Sequence, residues 1–118
     1  RVKFLHRSIN DKLNKKFDLI VSNPPYICTH ALKNLDKDIK YFEPKVALDG
    51  GKDGLDVIKK VIYKAKKLLR IKGILAIEIG NKQYTKVSKI LRINRFRIKH
   101  LISDYRRNIR CVVSILEN

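Results

Sequence analysis

Two short apolar runs, Phe17-Asp18-Leu19-Ile20-Val21-Ser22 and Ile74-Leu75-Ala76-Ile77-Glu78-Ile79, flank a stretch in which Leu55, Ile58, Val61, Ile62, Ala65, Leu68 and Leu69 recur at three- and four-residue spacing. That spacing makes one apolar face of a helix. Asp53 and Asp56 stand at its start and Lys66, Lys67 and Arg70 at its end, each charge where the helix dipole favours it. The flanking runs have strand length and almost no polar interruption, which suits strands covered on both faces. Strand, helix, strand in this order is what a parallel sheet with a helical crossover requires.

The rest of the chain extends this pattern. Val2-Lys3-Phe4-Leu5 alternates apolar and polar residues and is expected to form a short strand, followed by a polar connection from His6 to Lys16. Residues Cys28 to Gly54 show no periodicity and predict a long loop with at most one helical turn; long loops in compact domains are usually functional or disordered. Gly73 is expected to close the turn after the helix, and Gly80-Asn81 to end the strand that follows. Val87, Ile90 and Leu91 mark a second helix from about Gln83 to Ile93, and Phe96 to Ile102 and Ile109 to Leu116 read as strands joined by the polar turn Asp104 to Asn108. That turn is too short for a parallel crossover, so the last two strands should pair antiparallel. The expected fold is α/β: a partial doubly wound, Rossmann-like sheet, mostly parallel with a final antiparallel strand, in one unit of 118 residues.

Composition narrows the function classes. The chain is 44% hydrophobic and 33% charged, as a globular protein is. No apolar run approaches the roughly 20 residues of a membrane span, so a soluble, cytoplasmic protein is expected. Cys28 and Cys111 lie far apart without a Cys-x-x-Cys or a histidine cluster, which predicts reduced thiols and no metal site. The net charge of +17 points toward a nucleic-acid or ribosome-facing surface, but the lysines are spread along every segment, as in a chain biased in composition throughout. The chain starts at Arg1 and contains no Met, so a piece of a longer translation product is expected.

The residues that carry chemistry directly follow the first apolar run: Asn23-Pro24-Pro25-Tyr26. Ligands of open α/β sheets bind beyond the carboxyl ends of strands. Each proline fixes its own φ and pushes the residue before it toward extended geometry, so the segment is stiff. The Asn23 side-chain oxygen and the Pro24 carbonyl can each accept one N–H of a planar NH₂ group. An amide or ring-amino nitrogen is a poor nucleophile whose rate depends on orientation, and fixed acceptors favour the positive charge that develops on it. The Tyr26 ring can cover the flat face of an amide or a base. Four such residues also suit an ordinary turn; the apolar strand before them is what favours a site.

Taken together, Phe17 to Ile27, Phe42-Glu43-Pro44 with Ala47-Leu48, Asp53-Gly54-Leu55, Gly73, Glu78-Ile79-Gly80 with Gln83, and Asp104-Tyr105 with Asn108 and Arg110 resemble the release factor glutamine methyltransferase family, within the class I methyltransferases that use S-adenosyl-L-methionine. The first motif is shared with adenine and guanine amino methyltransferases; the Glu43-Pro44, Asp53-Gly54-Leu55 and Glu78-Ile79-Gly80 parts resemble the glutamine-modifying group in particular. The resemblance implies methyl transfer to a glutamine side-chain amide of a peptide chain release factor, with Asn23 and Pro24 as catalytic residues, Asn23 to Tyr26 binding the glutamine, and Asn23 also beside the cofactor methyl. Ser8 and Ile9 would face the adenine on a looser match. The family's glycine-rich cofactor loop and the acidic residue after its second strand have no counterpart here, and Arg95 and Arg106 replace common glycines. The chain therefore reads as the C-terminal portion of a methyltransferase catalytic domain.

Other polar residues are weighed for structural roles. Glu43 is expected to stabilise the long loop in preference to binding the substrate backbone, Glu78 to be either a functional carboxylate or a partner for backbone amides at the end of its strand, and Asp49-Gly50-Gly51 and Asp53-Gly54 to serve as turn and helix entry. His30 and Cys28 lack a neighbouring activating group. Two alternatives stay open: a nucleic-acid amino methyltransferase acting on a flipped base, and a non-catalytic fragment that keeps only the acceptor half-site.

Overall fold

The computed structural model describes residues 1–34 and 44–118. Its elements in chain order are strand β1 (Phe17–Ser22), a 3-10 helix (Thr29–Asn34), the one-turn helix α1 (Lys45–Leu48), helix α2 (Asp56–Leu68), strand β2 (Leu69–Glu78), helix α3 (Tyr84–Ile93), strand β3 (Phe96–Ser103) and strand β4 (Ile109–Leu116). The four strands form one sheet in the order β1-β2-β4-β3. β1 is parallel to β2, and β4 is antiparallel to both its neighbours. Three strands thus share a direction and the last is inserted against them, as the short Asp104–Asn108 turn requires. In that turn Asp104 Oδ1 accepts the N–H groups of Arg106 and Asn108, each at 2.9 Å.

β2 starts earlier than expected. Phe17 pairs with Leu69 but Leu19 with Ile74, so β2 bulges between them. Lys72 takes φ 68° within that bulge, and the turn anticipated at Gly73 is this irregularity inside a continuous strand.

Both long helices pack on one face of the sheet. Ile58, Val61, Ile62 and Ala65 of α2 and Val87 and Leu91 of α3 form one cluster with Leu75 and Ile77 of β2, Phe96 of β3, and Val112 and Leu116 of β4. Each of these side chains other than Ala65, when fully buried, contributes about 1.5–3 kcal/mol before ordering costs are subtracted. The opposite face differs from expectation. Leu19 is 55% and Val21 71% exposed, so among the described residues β1 is an edge strand covered on one face only. An apolar run shows that a strand can be buried, but does not say what lies beside it.

Val2–Leu5 also departs from expectation. It forms no strand, and Val2, Phe4 and Leu5 are exposed. A strand needs a neighbour to satisfy its backbone groups, and among the described residues none flanks it. Phe42 and Glu43 lie outside the described residues.

One end of the sheet gathers the features that matter for function. Ser22 pairs with Ile77, Glu78 with Cys111, and Ser103 with Ile109. The carboxyl ends of β1, β2 and β3 and the start of β4 therefore lie together, and Asn23-Pro24-Pro25-Tyr26 begins there.

Candidate active site

Along the turn after β1, Asn23 is exposed, Pro24 buried, and Pro25 and Tyr26 half-buried. No hydrogen bond among the described residues engages the Asn23 carboxamide or the Pro24 carbonyl. These two groups, predicted to receive an NH₂ group, thus have no partner among the described residues at the carboxyl end of a strand.

The far end of the turn is held tightly. The Tyr26 hydroxyl donates to Glu78 Oε1 at 3.1 Å and accepts from Arg110 Nη2 at 3.0 Å, and the Arg110 guanidinium lies 5.5 Å from the centre of the Tyr26 ring. Burial is the main cause that raises the Tyr26 pKa above its ordinary value; Arg110 opposes it and Glu78 reinforces it. The hydroxyl stays protonated and keeps donating to Glu78. Glu78, weighed as a functional carboxylate or as a partner for backbone amides, pairs with this side chain.

Gln83 supplies a second restraint. Its Nε2 donates to the carbonyls of Tyr26 at 2.9 Å and Gly54 at 3.2 Å, and its Oε1 accepts from Gly80 N–H at 2.8 Å. Behind the turn runs the glycine loop before α2. Ile27 bridges Asp49 in parallel, Ile27 N–H donates to the Leu48 carbonyl at 3.0 Å, and Gly50 N–H donates to the Ile27 carbonyl at 2.7 Å. Asp49 accepts the Thr29 hydroxyl at 2.6 Å and Gly51 N–H at 2.9 Å, which hold its carboxyl below the usual carboxylate range.

Sequence reasoning located the turn but not its braces. The Asp49–Gly54 segment, set down as ordinary turn and helix entry, also packs against Tyr26. Gln83 and Arg110 were singled out only through the family resemblance. One local signal pointed to Gln83: it occupies the N-cap of α3, where Ser, Thr, Asp or Asn is preferred, and makes no side-chain cap bond there. His30 is exposed, and Cys28 donates to the Lys52 carbonyl; among the described residues neither has an activating side-chain partner. No cluster of metal-ligating side chains occurs among the described residues, and no described helix is long and apolar enough to cross a membrane.

Ser8 and Ile9 line a cleft of about 190 Å³ with Leu13, with Ile20, Val21 and Ser22 of β1, and with Val61, Lys64, Ala65 and Leu68 of α2. It reaches the residue just before Asn23 and is smaller than S-adenosylmethionine as a whole. Its lining is apolar apart from Ser8, Ser22 and Lys64, which suits no more than one part of such a cofactor.

A family described as Eco57I restriction-modification methylase matches residues 2–109. The chain belongs to this methylase family. Among curated relatives, the release factor glutamine methyltransferase of Fusobacterium nucleatum is 41% identical over 115 residues, 96% of this chain and 32% of the relative. The ribosomal protein uL3 glutamine methyltransferase of Francisella tularensis is 45% identical over 85 residues, 71% of this chain and 27% of the relative. The resemblance read from the motifs is borne out, and the chain spans about a third of the length of the first of these relatives. Among solved structures, the N-methyltransferase NodS from Bradyrhizobium japonicum matches with a TM-score of 0.50 at 12% identity, covering 93% of this chain and 56% of NodS. That likeness bears on the fold alone, and it agrees with the methylase family's α/β sheet.

Proposed function

We propose that this chain forms the acceptor side of an enzyme that methylates the side-chain amide nitrogen of a glutamine in a peptide chain release factor, in the cytoplasm. The observation that carries this reading is the pair of acceptors, Asn23 Oδ1 and the Pro24 carbonyl, that no hydrogen bond among the described residues engages, on a turn braced from behind. Each accepts one N–H of the glutamine NH₂, which fixes the amide plane and aims the nitrogen lone pair. Pro25 stiffens the turn, and the partly exposed ring of Tyr26 adds dispersion contact.

S-adenosyl-L-methionine, when bound, supplies an electrophilic methyl group attached to a positively charged sulfur. Asn23 would lie beside that methyl, and Ser8 and Ile9 would face the adenine. The amide nitrogen would form its bond to the methyl as the sulfur–methyl bond breaks, whose electron pair stays on sulfur as a neutral thioether, and it would afterwards lose a proton to water, so no residue of the chain has to act as general base. Orientation and fixed acceptors are the chain's contribution, an effect typically worth several powers of ten in rate.

Glutamine is favoured over a base because the relatives of about 40% identity are named for glutamine methylation, whereas the family description and the +17 charge suit nucleic acid as well. The test is transfer of labelled methyl from S-adenosylmethionine by the protein at its full natural length. Release factor should be labelled at a glutamine, and Asn23→Ala should lose that activity. Equal labelling by the Asn23→Ala protein, or labelling of DNA or RNA in place of protein with strong salt dependence, would refute the assignment.

A further inference from the structure

We infer that Gln83 is a positioning residue for transfer at Asn23: its single carboxamide locks the acceptor turn to the two loops behind it. This rests on the glutamine-methylation reading above.

The two N–H groups of Gln83 go to the carbonyls of Tyr26 and Gly54, and its oxygen takes Gly80 N–H. One planar group thus joins the end of the acceptor turn, the glycine loop before α2 and the β2–α3 turn. Only a carboxamide offers two donors and an acceptor in one plane at that reach; a carboxylate would set an oxygen against two carbonyls, and an aliphatic side chain would satisfy none of the three. With both N–H groups and Oε1 engaged, Gln83 acts through the turn and not on the substrate.

The surroundings are built around this group. A Cβ at Gly80 would lie 2.9 Å from Gln83 Oε1 and 3.0 Å from Tyr26 Cδ2, and one at Gly54 would lie 2.4 Å from the Tyr26 carbonyl oxygen and 2.8 Å from Gln83 Nε2. Gln83 also gives up the capping role that its place at the start of α3 invites. A residue that breaks a local preference while joining two carbonyls 57 and 29 positions away marks a site where function outweighs local stability.

The experiment compares Gln83→Glu and Gln83→Leu with wild type at full natural length, using S-adenosylmethionine and release factor. For Gln83→Leu, kcat should fall by roughly 10- to 100-fold, the range expected when reacting groups are misplaced, while KM for release factor and Kd for S-adenosylmethionine stay as in wild type. Gln83→Glu should regain kcat relative to wild type as pH falls, because the protonated acid donates its O–H to a facing carbonyl; Gln83→Leu should show no such recovery. An unchanged kcat, or a loss that appears in KM and Kd alone, overturns the inference. If wild type transfers no methyl to glutamine, the functional reading fails separately. Amide exchange then decides the present point: faster exchange at Gly80 and Ile27 in Gln83→Leu supports the lock, and unchanged exchange overturns it.

Discussion

Arg110 Nη2 donates to the hydroxyl of Tyr26 at 3.0 Å, tying the start of β4 to a residue 84 positions earlier. Glu78, at the end of β2, accepts from the same hydroxyl, so one phenol bridges a guanidinium and a carboxylate. Tyr26→Phe keeps the ring and removes the bridge, leaving two half-buried charged groups short of a partner. The expected cost is about 1–3 kcal/mol, read from the midpoint of urea unfolding with the slope unchanged. Methyl transfer should also fall, since the turn loses an anchor. A variant as stable as wild type would show that Glu78 and Arg110 find other partners.

The glycines at positions 54 and 80 make a second prediction. Gly54 has φ +72°, and its added Cβ would lie 2.4 Å from the Tyr26 carbonyl oxygen. The left-handed conformation alone costs a non-glycine residue about 1–2 kcal/mol, and the overlap with backbone adds to that. Gly54→Ala should therefore destabilise more than Gly80→Ala, whose close neighbours are side-chain atoms of Gln83 and Tyr26 at 2.9 Å or more and not backbone. Thermal unfolding of the two variants provides the ranking, and the reverse order would contradict the geometry.

Acid should loosen the loops before the core. Asp49, Asp53 and Asp104 are held below the ordinary carboxylate range chiefly by hydrogen bonds to their charged forms: the Thr29 hydroxyl for Asp49, Leu55 N–H for Asp53, Asn108 N–H for Asp104. Glu117 is lowered by Lys72 and Arg97. A folded-state pKa below the unfolded value gives stability that is present above the unfolded pKa and lost as pH falls through the folded one. Stability should thus be level above about pH 5 and decline below about pH 4, where free carboxylates take up protons. Asp104→Asn should flatten part of that decline when melting temperature is followed against pH.

How far the sequence reveals these features depends on the range of the interaction behind each. β1 over Phe17–Ser22 and β4 over Ile109–Leu116 match the expected spans, because apolar runs bounded by turn residues report local burial. Helix α2 is legible from its spacing, and the antiparallel pairing of β3 with β4 from the length of the Asp104–Asn108 turn. The Asn23–Tyr26 turn is legible because stiffness and hydrogen-bonding capacity are properties of the residues themselves. Its braces are not. Tyr26 meets Glu78, Gln83 and Arg110 at separations of 52, 57 and 84 positions, and no periodicity encodes such contacts. Val2–Leu5 alternates as a strand does, but strand formation depends on a neighbour that a local pattern cannot supply.

The bare face of the sheet yields the last prediction. Leu19 and Ile74 are partners across β1 and β2, and with Val21 they are 55%, 39% and 71% exposed. Adjacent apolar side chains on an edge strand combine two hazards, an apolar patch and unpaired backbone groups. Covering such a patch gains about 25 cal/mol per Å², so the isolated 118-residue chain should self-associate as its concentration rises and bind hydrophobic dyes. Leu19→Thr with Val21→Thr keeps the branched shape that strands favour while making the patch polar. Because neither side chain is part of the buried cluster between sheet and helices, the double variant should lose association and dye binding with little change in melting temperature. Sedimentation velocity over a range of concentrations decides the matter: a wild-type chain that stays monomeric, or a variant that associates equally, would mean the exposed face is not what brings copies together.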